Sequence, residues 1–171
     1  MADKPPVSPE AYLEAIHSLA NDGNPKAQHN LGAMYLNGQG VDPDPAKAVH
    51  WFKLAAKQGI THAQHNLGTL YLKGIGVEQD AKEAVRWFKM AAKQGDPRSQ
   101  HTLGSLYFEG TGVEADLIQS YHWISRAIDG APDAFKIQLE EMRQFVVEQM
   151  TQSERAKIDD SLSSEQSDFL Q

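Results

Sequence analysis

Cysteine is absent from the 171 residues, which excludes a disulfide framework, a thiolate metal site and a cysteine nucleophile together. Neither Ser-x-x-Lys, Gly-x-Ser-x-Gly nor His-Glu-x-x-His occurs, and the acids fall mostly at helix starts or scattered over surface positions, so no catalytic residue is assigned and the chain is not expected to be an enzyme. A long apolar run is also missing. Met1 to Glu10 carries Asp3, Lys4 and three prolines where a secretory leader would carry an apolar core. With no segment resembling a membrane span, the expected location is the cytoplasm, with no membrane partner. Positive charge is in short supply as well, 16 bases against 23 acids for a net charge of −7. Residues 131–171 hold nine acids and four bases, residues 1–23 four acids and one base, and residues 24–130 ten acids and eleven bases. The middle is nearly neutral and the ends are acidic, a balance without the clustered positive potential that nucleic acid requires.

What the chain has instead is repetition. Ala27-Gln28-His29-Asn30-Leu31-Gly32 returns as Ala63-Gln64-His65-Asn66-Leu67-Gly68, 36 residues on, and more loosely as Ser99-Gln100-His101-Thr102-Leu103-Gly104 after another 36. Tyr35, Tyr71 and Tyr107 keep the register, as do Gly38, Gly74 and Gly110, then Gly40, Gly76 and Gly112, then Trp51, Trp87 and Trp123. A period of this size marks stacked supersecondary units. Within a unit, Ala27, Leu31, Met34 and Tyr35 share one arc of a helix, here called helix A, with Gly32 beside that arc where a missing side chain admits a close neighbour. Gly38 and Gly40 follow the last turn, suited to a left-handed cap. Helix B then opens on Asp44-Pro45, on Asp80-Ala81-Lys82-Glu83 or on Asp116-Leu117-Ile118-Gln119. The first reads as an N-cap with proline at the first helical position, the other two as capping boxes. Ala48, Phe52 and Ala55 form its buried stripe, Trp51 lies on the flank, and Gly59 and Gly95 close it.

The string LGxxY, GxGV and AxxWFxxAAxxG over residues 24–130 resembles the Sel1-like repeat, a relative of the tetratricopeptide repeat. The resemblance implies an all-α fold, a right-handed α-α superhelix or solenoid of helix–turn–helix repeats with helix A on the concave side. It also implies an adaptor role in protein complexes. Two departures stand out: His follows Ala-Gln or Ser-Gln where the family commonly has an aromatic residue, and Gly130 falls 35 rather than 36 residues after Gly95.

The remainder is assigned by shifting the repeat. Moving helix B back by 36 places Ile16 on Phe52, Ala20 on Ala56 and Gly23 on Gly59, so residues 9–23 read as a capping half repeat after a mobile N-terminus at 1–8. The repeats occupy 24–59, 60–95 and 96–130. Residues 131–160 follow as C-terminal capping helices, the longer suggested by Ala134, Ile137, Met142, Phe145, Val146 and Met150, the shorter opened by a capping box at Thr151 to Glu154. Residues 161–171 read as a mobile acidic tail.

On helix A the side opposite the buried arc, between about 180° and 280° from Ala27, collects Lys26, His29, Ala33, Leu36 and Asn37. Its equivalents are His62, His65, Thr69, Leu72 and Lys73, then Arg98, His101, Ser105, Phe108 and Glu109. These are the candidate partner-binding residues: Leu36, Leu72 and Phe108 would form an apolar track with a polar rim, a surface suited to a peptide or helical segment of another protein. The alternative is a self-associating module, a homo-oligomer or a chain whose own C-terminal helix fills the groove. A third reading, metal binding through the repeated histidines, lacks an accompanying carboxylate cluster, and neighbouring helices about 8–10 Å apart hold first and third histidines too far apart to share one ion. No metal or other cofactor is expected. The Gly-x-Gly loops leave a helix rather than follow a strand, so turn chemistry explains them better than phosphate binding.

Overall fold

The computed structural model describes residues 9–158; the expected mobile segments 1–8 and 161–171 lie outside the described residues, as do 159 and 160. Among the described residues every regular element is helical. The helices are α1 (Pro9–Asn21), α2 (Pro25–Asn37), α3 (Pro45–Lys57), α4 (Thr61–Lys73), α5 (Ala81–Lys93), α6 (Pro97–Glu109), α7 (Leu117–Gly130) and α8 (Asp133–Gln149), with a further helix, α9, over 152–158. Two compact units divide the chain, Met1–Met90 and Ala91–Gln171, the division falling inside α5.

In the first unit α2 is helix A of a hairpin and α3 its helix B. Asn24 caps α2, its Oδ1 accepting from the N–H groups of Lys26 and Ala27, each at 3.0 Å. Gly38 ends the helix at φ 67° in the left-handed region, where L side chains are disfavoured. Asp44 then caps α3, accepting from Lys47 N–H at 3.0 Å. Phe52 of α3 is fully buried with Ala48, Ala55 and Ala56. Burial of such a ring contributes about 1.5–3 kcal/mol, but only because Gly32 leaves room: a Cβ there would lie 2.9 Å from the ring. The next hairpin repeats the device, with a Cβ on Gly68 meeting Phe88 at 2.9 Å. Alone before the first hairpin, α1 packs Ile16 and Ala20 against Ala27 and Leu31, as a displaced helix B would.

In the second unit α6 and α7 form a hairpin of the same kind, with Ile124 in the ring's place against Gly104. Helix α7 runs one residue longer than its counterparts and ends at Ala131 with extended backbone; Gly130 lies inside it, so it does not play the left-handed part that Gly59 and Gly95 take at φ 88° and 87°. Helix α8 packs on α7 through Leu139, Val146 and Met150. Val146 and Met150 thus belong to the core with Met142 beside them, whereas Ile137 is 68% and Phe145 51% exposed and Ala134 is exposed. The buried arc of α8 runs through Leu139 instead. Thr151 and Glu154 form a reciprocal capping box at 2.8 and 3.3 Å. The boxes expected at Asp80 and Asp116 are half made: each aspartate accepts from the residue three positions on, but its own N–H donates to the carbonyl of Tyr71 or Tyr107, leaving no donor for Glu83 or Gln119 to meet.

Substitution Gly68→Ala sets a helix-propensity gain of roughly 1 kcal/mol against overpacking on a fully enclosed ring, which costs about 1–3 kcal/mol. The expected outcome is a lower melting temperature. A rise would show that the Phe88 ring yields freely.

Candidate functional site

The helix A side that faces away from the buried arc is neither core nor bare surface. Lys26, Asn37, His62, Lys73, Arg98 and Glu109 are exposed, while His29, Ala33, Leu36, His65, Thr69, Leu72, His101, Ser105 and Phe108 are half-buried. Packing accounts for the second group. Ala33 and Leu36 lean on the cluster built around Phe52 and Leu67. The His29 ring lies 5.6 Å from Phe52 and the His65 ring 5.5 Å from Phe88; in the third repeat Ile124 replaces the phenylalanine. Thr69 and Ser105 donate their hydroxyls back to the carbonyls of His65 and His101, a local bond that withdraws their hydrogens from other acceptors. Arg98 is held at 3.3 Å by Asp96, a buried carboxylate that also accepts from Ser99 N–H at 2.9 Å.

The two units differ at their apolar positions. Leu36 and Leu72 of the first keep part of their surface exposed. In the second, Phe108 joins the cluster of α7 and α8, its ring 5.6 Å from that of Phe145. Helix α8 thus touches α6 through this ring pair.

Among the described residues no three His, Cys, Asp or Glu side chains gather closely enough to hold a metal ion. The imidazoles of His29 and His62 lie 6.2 Å apart between ring centroids.

One set of working residues was not singled out from the sequence. Gln28, Gln64 and Gln100 are buried, and each donates through Nε2 to the carbonyl of the residue eight positions earlier, Ala20, Ala56 and Ala92, at 3.1 Å. Each ties a helix A to the end of the helix before it. Gln58 donates at 2.8 Å to the other end of the Gln28 amide, whereas Gln100 Oε1 is buried with no partner among the described residues. The signal was present in the repeat: an identical amide about 100° from Ala27, between Leu31 and Gly32 and so within the apolar arc, has to find a buried partner.

The model of the Sel1 repeat family matches residues 25–60, 61–96 and 97–131. The chain belongs to the Sel1 repeat family. It is similar to the solved structure of c5321, a protective antigen present in uropathogenic Escherichia coli strains and displaying an SLR fold, with 39% identity and a TM-score of 0.71 over 73% of this chain and 27% of that one. A Sel1 repeat protein from Oxalobacter formigenes shows 33% identity and a TM-score of 0.67 over 75% of this chain and 97% of that chain. Helicobacter pylori cysteine rich protein B, at 15% identity and a TM-score of 0.57 over 74% and 90%, shares the fold. The chain thus spans about a quarter of c5321 and nearly all of the Oxalobacter protein. No curated protein matches. Among the described residues, no helix of this Sel1 repeat protein is long and apolar enough to cross a membrane.

Burial pushes the His101 imidazole below its ordinary value of 6.5. In the unfolded chain that histidine binds a proton as pH falls through about 6.5, while the folded one declines it until lower pH, so stability drops with acidification across that interval. His101→Gln is expected to shrink the loss of melting temperature between about pH 7.5 and about pH 5.5, measured by thermal denaturation. An unchanged loss would remove His101 from the account.

Proposed function

We propose that this chain is a cytoplasmic protein-interaction scaffold that takes a peptide or helical segment of a partner protein on the helix A faces of its first unit. The Sel1 repeat fold commonly serves protein–protein interaction, and its members are typically non-enzymatic scaffolds. The observation that carries the reading is the partial exposure of Leu36 and Leu72 on the side of α2 and α4 away from the buried arc, on a face that also holds the exposed Lys26, His62 and Lys73. Apolar anchors within a polar rim are the usual arrangement of a site for a helix or an extended peptide. In this reading α1 and α8 act as caps for the array, covering apolar faces that a further repeat would otherwise meet.

A second reading has its own observation. The tilted contact of the Phe145 ring with Phe108, 5.6 Å between centroids, favours a helix α8 that occupies the helix A face in the second unit, and self-association would then arise when that helix seats on another copy. Phe145→Ser is expected to leave the mass by light scattering unchanged on dilution if the contact is internal. A concentration-dependent change confined to the wild type would favour exchange between copies.

For the leading reading, a peptide selected from a displayed library on the full chain is expected to bind Leu72→Asp at least about tenfold more weakly, the loss that follows removal of a central apolar anchor. Lys53→Asp on the outer side of α3 should bind as the wild type does. Equal affinity for both variants, with unchanged circular dichroism, would contradict the assignment.

A further inference from the structure

The first described helix is a helix B with no described helix A before it. Shifting α1 by 36, 72 and 108 residues sets Tyr12 on Ala48, Ala84 and Ser120, and Leu19 on Ala55, Ala91 and Ala127. All six of those residues are fully buried. Ser120 shows which neighbour this side of helix B meets, since its hydroxyl donates at 2.8 Å to the Gly104 carbonyl of the helix A in its own hairpin. In α1 the same side is open. Tyr12 is 49% and Leu19 46% exposed, although Ile16 and Ala20, next to them around the helix, are buried against Ala27 and Leu31 of α2. Ala15, also exposed, and Leu19 lie within about 60° of Tyr12. The three form one outward apolar arc about two turns long, which a scattered surface leucine would not.

Size and charge say what fits this arc. The complete hairpins put alanine or serine at these positions, which lets helix A come close. A tyrosine and a leucine there hold a neighbouring helix away unless it offers small residues between which they can insert. Between Pro9 and Gly23 the acids Glu10, Glu14 and Asp22 are all exposed, with no lysine or arginine among them. Glu14 and Asp22 lie on the outer edge of the arc. A second copy is a poor match on both counts. Its own α1 would set bulk against bulk and acid against acid, and the exposed Ile137 and Phe145 of α8 stand among Glu140, Glu141 and Glu148, while Arg143 lies over the Tyr121 ring at 5.9 Å.

We propose that the outward arc of α1 is a docking surface for a basic amphipathic helix of another protein. That helix takes the side of α1 on which a complete hairpin places helix A. Glycine, alanine or serine along its seam receive Tyr12 and Leu19, and lysine or arginine beside the seam meet Glu14 and Asp22. The surface uses none of the helix A residues assigned to partner binding above, so the two readings stand or fall separately.

The test keeps the two surfaces apart. A displayed library of helical peptides is panned on the full chain carrying Leu72→Asp, and the recovered peptides are synthesised and titrated by fluorescence anisotropy. They are expected to carry net positive charge and a stripe of small residues, and to bind the wild type and Leu72→Asp alike. Adding Leu19→Asp should weaken them at least about tenfold, the loss that follows removal of a central apolar anchor. Asp22→Lys should weaken them too, more at low salt than at high. Both side chains are exposed, so circular dichroism should not change, and Tyr12→Ser probes the same contact from the other end of the arc. Recovery of no peptide, peptides without excess positive charge, or affinity unaltered in both Leu19→Asp and Tyr12→Ser would overturn the proposal. A mass by light scattering that rises with concentration in the wild type and not in Leu19→Asp would overturn it as well, because a second copy would then be the occupant.

Discussion

Everything in this chain depends on how closely helix B can approach helix A. A ring such as Phe52 or Phe88 is buried only where the facing position has no side chain, and Gly32 and Gly68 meet that condition with nothing to spare. Glycine is a poor helix former by roughly 1 kcal/mol relative to alanine, so its place in the middle of α2, α4 and α6 is a local cost offset by packing. The third hairpin shows that the rule concerns space rather than aromaticity, since Ile124 rests on Gly104 with the same lack of clearance.

Once that contact is made, the opposite side of helix A is covered only in part. What happens there differs between the units. In the first, histidines at the repeated position lean on the buried rings and leave leucines partly exposed. In the second, α8 comes against Phe108. The same repeat chemistry thus yields partly exposed leucines in one unit and a ring contact with α8 in the other.

The hairpins were readable because each of their parts has a local cause. A left-handed glycine, an aspartate before a proline, and apolar residues recurring every three to four positions depend on nothing distant. Features that depend on three-dimensional neighbours were less accessible. Asp80 and Asp116 looked like full capping boxes because the string Asp-x-x-Glu or Asp-x-x-Gln says nothing about the tyrosine carbonyl that takes the aspartate's N–H. In α8 several apolar residues compete for one stripe; Leu139 faces the core while Ile137 does not, an outcome decided by where α7 lies. The candidate face followed from helical geometry once the buried arc was known.

The buried glutamines carry a consequence for how the molecule comes apart. Their amide bonds do not brace a hairpin internally; they stitch the beginning of one hairpin to the close of the helix preceding it. A cut in the exposed loop between helices A and B would leave each stitch in place, so a nicked chain should hold together where two fragments meet at a seam. Unzipping has to break a buried amide-to-carbonyl bond at each step, a net loss of about 0.5–1.5 kcal/mol once both groups are hydrated. Seams of this kind make neighbouring hairpins open jointly rather than singly, which turns a row of small, individually weak units into a cooperative body.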